Sequence, residues 1–143
     1  MLIEVKVKVA RVIDNKVRKR VENYLMDGEL FAQAEYKVTE ALTEEQNNGT
    51  VDSFDIQSLR ISPIREVANQ FSGSDTFIAT LKDIWLDDDG NEKTLKYKVL
   101  LWADDLTQAN NNALQLARQG YDMQIEGIKQ VDYEYFPVVD NNE

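Results

Sequence analysis

The sequence predicts an α+β fold: tandem duplicated ββαβ units, antiparallel-rich, with two helices packed on one side. Three observations predict it. First, Leu25, Met26, Asp27, Phe31, Gln33, Ala34, Val38 and Leu42 are echoed by Leu100, Leu101, Asp104, Leu106, Gln108, Ala109, Ala113 and Ala117. One offset carries Phe31 onto Leu106, Gln33 onto Gln108, Ala34 onto Ala109 and Val38 onto Ala113, as expected of one supersecondary unit used twice. Second, apolar residues alternate ahead of each echoed segment, the mark of a half-buried strand. Third, each echoed segment carries an apolar stripe at helical spacing, and such a helix needs a sheet face to cover.

Ile3, Val5, Val7 and Val9 alternate with Glu4, Lys6, Lys8 and Ala10, so residues 2–12 read as the first strand. Asp14-Asn15 marks a turn. On the returning strand Val17, Lys19, Val21, Asn23 and Leu25 are expected to face inward, with Arg18, Arg20, Glu22 and Tyr24 outward. Asp27 is expected to cap the first helix, over about 28–46, whose stripe is Phe31, Ala34, Val38, Ala41 and Leu42. Gln46 to Gly49 ends it. Val51, Phe54, Ile56, Leu59 and Ile61 belong to a third strand, and their irregular spacing predicts a bulge or burial on both sides. Pro63 breaks the chain, and 64–71 allows one helical turn.

The second unit opens with a strand at 76–86. Asp89-Gly90 signals a hairpin. Leu95, Tyr97, Val99 and Leu101 alternate with Lys96 and Lys98 on the way back. Asp104 is expected to cap the second helix, over about 104–119, with Leu106, Ala109, Ala113, Leu116 and Ala117 as its stripe and Gly120 as its stop. A last strand covers about 123–135 and ends at Pro137. The organisation is a first repeat at 1–61, a linker at 62–75, a second repeat at 76–137 and a polar tail at 138–143.

Composition narrows the chemistry. A hydrophobic share of 43% supports a real interior. The chain has no Cys, which excludes disulfides and thiolate chemistry, and no His, which removes the usual general base and the commonest transition-metal ligand. The first residues resemble no signal peptide and no run is long enough to span a bilayer, so a cytoplasmic protein is expected, in a bacterial cell or a phage-infected host. The net charge of −10 argues against a nucleic-acid partner, but its distribution does not. Lys6, Lys8, Arg11, Lys16, Arg18, Lys19 and Arg20 crowd the first twenty residues, against only Glu4 and Asp14.

Asp87, Asp89 and Asn91 invite a calcium reading, but Gly90 and Glu92 fall out of register with an EF-hand loop, and a hairpin turn explains the run. Carboxylates are so frequent that pairs arise by chance. No nucleophile motif or phosphate loop accompanies them, so no enzyme, cofactor or metal site is expected. Trp85 and Trp102 suit sheet packing, with base stacking as the functional alternative. Tyr133, Tyr135 and Phe136 are open to the same two readings.

The run Tyr24-Leu25-Met26-Asp27, then Phe31, Ala34 and Glu35, and the closing Tyr135-Phe136-Pro137 resemble the family called domain of unknown function 4494, of Bacteroidetes and their phages. The resemblance spans Ile3 to Pro137. It implies a small cytosolic protein compatible with phage origin, and it brings no activity to carry over to particular residues.

The expected function is non-enzymatic binding of single-stranded DNA or RNA through a basic sheet face. Lys6, Lys8, Arg18, Arg20, Lys82, Lys96 and Lys98 would neutralise phosphates, and Tyr24 would offer a stacking surface. A solvated sheet face must be polar in any case, and strand lysines also discourage edge pairing. The alternative is a protein-interaction module, such as a phage or bacterial host-interaction factor, or a virion-associated component.

Overall fold

A computed structural model describes residues 1–117 and 123–136. The expected helix stop at Gly120, the strand end at Pro137 and the tail at 138–143 lie outside the described residues. The elements run β1 (Leu2–Ile13), β2 (Lys16–Asp27), α1 (Phe31–Asn47), β3 (Val51–Ile61), β4 (Ile64–Ala68), β5 (Asp75–Leu86), β6 (Glu92–Ala103), α2 (Leu106–Ala117), β7 (Met123–Val131) and β8 (Tyr133–Phe136). The fold is α+β, with two mixed, antiparallel-rich sheets of four strands, ordered β3-β1-β2-β8 and β4-β6-β5-β7.

The first hairpin is set by its turn. Asp14 and Asn15 both take left-handed backbone, at φ 52° and 63°. Short polar side chains tolerate that region, and a two-residue turn of this hand matches the strand twist. The turn pairs Ile13 with Lys16, and an unbroken register then runs to Leu2 opposite Asp27. Paired residues share a face. Ile3, Val5, Val7 and Val9 therefore lie with Met26, Tyr24, Glu22 and Arg20 on the face that packs α1 through Ala34, Val38 and Leu42. The expected inward face of β2 is thus corrected: its even-numbered residues turn to the helix. Leu25, on the other face, is also fully buried. With both faces covered at that end, period two carries no inside-outside information there.

A glutamine in the first turn caps the start of each helix. The Gln33 side-chain oxygen accepts from the N–H groups of Glu29 and Leu30 at 3.0 and 3.2 Å. Gln108 accepts from the Asp104 N–H at 2.7 Å, while Asp105 accepts from the Gln108 N–H at 2.8 Å. These bonds satisfy donors that the first turn leaves without partners. The caps expected at Asp27 and Asp104 are thereby corrected. Asp27 instead takes the N-terminal ammonium at 2.9 Å, and Asp104 takes the Ser74 N–H at 3.0 Å. Phe31 and Leu106, expected inside, are the first residues of their helices and are 43% and 58% exposed. The stripes begin one turn later, at Ala34 and Ala109.

β3 pairs antiparallel with β1 and shifts register twice, as its spacing predicts. The expected helical turn at 64–71 is corrected. Residues Ile64–Ala68 form β4, which pairs parallel with β6. The expected last strand is two strands. β7 pairs with β5, and β8 pairs parallel with β2 over Asn23–Met26. The chain order strand-strand-helix-strand-strand thus occurs twice, and the short last strand of each run joins the other run's sheet. Two compact units result: Met1–Ser62 together with β8, and Pro63–Asp132. The second unit buries Phe77, Ala79, Leu101 and Ala103 against Ala109 and Ala113 of α2.

Candidate functional site

The β5–β6 hairpin places the lysines of the second unit. Its register pairs Thr80 with Lys98, Lys82 with Lys96 and Ile84 with Thr94. The alternate pairs, Phe77–Leu101 and Ala79–Val99, belong to the helix side, where Phe77, Ala79 and Leu101 join the core around α2. Lys82, Lys96 and Lys98 therefore share the helix-free face, where the sequence places them. β7 adds to it. Ile78 lies opposite Lys129, Lys82 opposite Gln124, and Thr80 opposite Gly127. The floor between the lysines is low, because a Cβ built on Gly127 would meet nothing within 4 Å. Lys96 reaches Glu126 at 3.1 Å. Two lysines directly opposed in an antiparallel pair repel each other, and the Glu126 carboxylate on Lys96 offsets only part of that cost for Lys82 and Lys96.

In the first unit the register divides the expected basic face. Lys6 lies opposite Asn23 and Ser58, and Lys8 opposite Val21 and Asp55, all on the helix-free side. Lys19, opposite Ala10, joins them there. Arg20 lies opposite Val9, and Arg18 opposite Arg11, on the helix side. The structure thus keeps Lys6 with Lys8 but separates them from Arg18 and Arg20. The signal was present in the sequence. With a two-residue turn at Asp14-Asn15, any register that turns Val9 inward must turn Arg20 inward too.

Tyr24 offers no stacking surface. It is 1% exposed, its ring stacks on Phe136 at 5.8 Å, and its hydroxyl donates to Glu22 at 2.7 Å. Glu22 is the centre of this side of the hairpin. It accepts from Arg11 at 2.5 and 2.7 Å and from Arg20 at 2.6 Å. Arg11 also reaches Glu45 of α1 at 3.1 Å. Burial opposes ionisation of Glu22, but hydrogen bonds from Arg11, Tyr24 and Arg20 outweigh it and hold the carboxyl down at about 2. Burial, then the bond to Glu22, pushes the Tyr24 hydroxyl up. This cluster neutralises bases rather than presenting them, and strand pattern alone did not single out Glu22.

On the helix-free face of the first sheet, Glu4 is buried and accepts from Tyr133 and, at 2.5 Å, from Arg60. These bonds tie β8 and β3 to β1. Burial, then Glu4, pushes the Tyr133 hydroxyl up. Trp102 is 6% exposed and packs on Phe71, whereas Trp85 is 45% exposed beside the β5–β6 turn. Among the described residues, no three His, Cys, Asp or Glu side chains gather so as to hold a metal ion, and no helix is long and apolar enough to cross a membrane.

The family model for Domain of unknown function (DUF4494) matches residues 1–136. Comparison with curated proteins and with solved structures finds no match. The chain belongs to the DUF4494 family.

Proposed function

We propose that this member of the DUF4494 family is a non-enzymatic, cytoplasmic binding protein that holds single-stranded nucleic acid on the helix-free face of its second sheet. The observation that carries this reading is the direct opposition of Lys82 and Lys96, with Lys98 and Lys129 on the same face and Gly127 leaving the floor open. A phosphate chain crossing that face would relieve the repulsion, and counterion release would drive its binding. Lys6 and Lys8 give the first sheet's helix-free face a smaller share of the same chemistry. The recurrent strand-strand-helix-strand-strand order supports an internal duplication, with the second copy the more basic on this face.

Fluorescence anisotropy of a labelled single-stranded oligonucleotide tests the reading. Neutralising three or four phosphates gives a log–log salt slope of about −2 to −3 for a single strand. Lys82→Glu with Lys96→Glu should weaken binding roughly tenfold or more. Absence of binding at low salt overturns the proposal. A second reading, a protein-interaction module, is favoured by the exposed Trp85, Leu86 and Leu95 at the hairpin end, since exposed aromatic anchors suit protein partners. Trp85→Ala would then abolish partner capture without touching oligonucleotide affinity.

A further inference from the structure

β2 is twelve residues long, yet β8 covers only Asn23–Met26 of its outer edge. Along residues 16–22 that edge carries no strand among the described residues. The directions of the peptide groups there follow from the hairpin. Val12 lies opposite Val17, and the Val12 N–H bonds to the Thr50 carbonyl at 3.0 Å, on the side away from β2. The Val12–Val17 pair is therefore a non-hydrogen-bonded one, and Val17 turns its own N–H and C=O outward. Alternation gives the same direction to Lys19 and Val21. Three residues thus point donors and acceptors outward where no strand among the described residues takes them.

The side chains around them say what would fit. Val17, Lys19 and Val21 stand on the helix-free face, and Val17 and Val21 are 54% and 55% exposed. Arg18 and Arg20, on the opposite face, are exposed as well. An incoming strand would meet apolar ground flanking Lys19 on one side and the Arg18 guanidinium on the other, Arg20 being held by Glu22 at 2.6 Å. The same charges repel a second copy of this edge, so they guard against self-pairing while leaving it open to the opposite sign. Among the described residues β6 also carries no strand on its edge before Lys98, but its lysines there are paired, Lys93 with Asp87 at 3.9 Å and Lys96 with Glu126 at 3.1 Å. The strong charge bias belongs to β2.

We propose that the outer edge of β2, from Val17 to Val21, is a docking site for an extended acidic segment of a protein partner. The segment would add a strand to the first sheet, with its carboxylates on the side of Arg18 and within reach of Lys19, and apolar residues toward Val17 and Val21. This site is separate from the lysines of the second sheet and does not depend on them.

A labelled extended peptide alternating glutamate and valine, titrated into the full chain, tests the proposal. Lys19→Pro removes an outward N–H without taking a bond from β1, because proline is tolerated where the N–H faces solvent on an edge strand. It should weaken the peptide at least tenfold with an unchanged far-UV spectrum. Arg18→Glu gives a second variant that leaves the backbone edge intact; it should also weaken the peptide, and the lysine–valine counterpart should not bind wild type. Two results overturn the proposal. One is absence of acidic-peptide binding, or binding that Lys19→Pro leaves at the wild-type level. The other is a single-stranded oligonucleotide that displaces the peptide and is itself lost with Arg18→Glu but not with Lys19→Pro, which would make the edge a phosphate contact.

Discussion

Replacing Glu22 by Gln should cost about 2–3 kcal/mol, because a hydrogen bond to a charged partner is worth about 1.5–3 kcal/mol and the pair is largely out of water. Arg11 makes most of that. Its side chain is 15% exposed and meets Glu22 through two nitrogens, whereas the Arg20 side chain is 53% exposed and adds little. Glutamine keeps the size and one acceptor oxygen but turns an N–H group toward another donor. The buried Tyr24 hydroxyl must then compete for the remaining oxygen. Urea unfolding followed by far-UV circular dichroism measures the loss. Both tryptophans lie in the other unit, so their fluorescence does not report on this cluster. The pH dependence is the sharper check. Glu22 sits at about 2 in the folded chain against an ordinary 4.5. A depressed carboxyl stabilises fully above its unfolded value, and that contribution is lost as pH falls through the folded one. The gap between wild type and Glu22→Gln should therefore be full above pH 4.5 and shrink steadily toward pH 2. A loss below about 0.5 kcal/mol, the usual range for surface substitutions, or a gap that does not change with pH, would refute the role given to this cluster.

Leu42→Ala, at a position 1% exposed against β1 and β3, should cost about 2–5 kcal/mol, while Phe31→Ala should cost under about 1 kcal/mol, because only buried side chains leave a cavity; denaturant midpoints compare the two. Gly73→Ala would put a Cβ 2.4 Å from the Ala103 backbone and should cost about 1–3 kcal/mol, whereas Gly127→Ala meets open space and should be neutral in thermal melts. Lys82→Thr should stabilise the chain by about 0.2–1 kcal/mol by removing the charge opposite Lys96, and the gain should shrink at high salt.

Most elements, and the echo between the two runs of chain, were legible in the residues alone. Alternation at Ile3 to Val9, the Asp14-Asn15 turn, the stripes from Ala34 to Leu42 and from Ala109 to Ala117, and the irregular β3 are local patterns, and local patterns survive without knowledge of partners. The Gln33 and Gln108 echo was legible as a repeat, though its use at helix starts was not. The lysines Lys82, Lys96 and Lys98 were placed on one face because their hairpin alternates cleanly. Tertiary structure alone decided the rest. Tyr24, Leu25 and Met26 are all buried, so the strand end gives no inside-outside contrast, and the turn rather than the hydropathy fixes which side Arg18 and Arg20 take. β4 and β8 are too short to announce themselves. They are strands because β6 and β2 supply their hydrogen bonds from far along the chain, and a pairing partner distant in sequence leaves no periodic trace in the segment it completes.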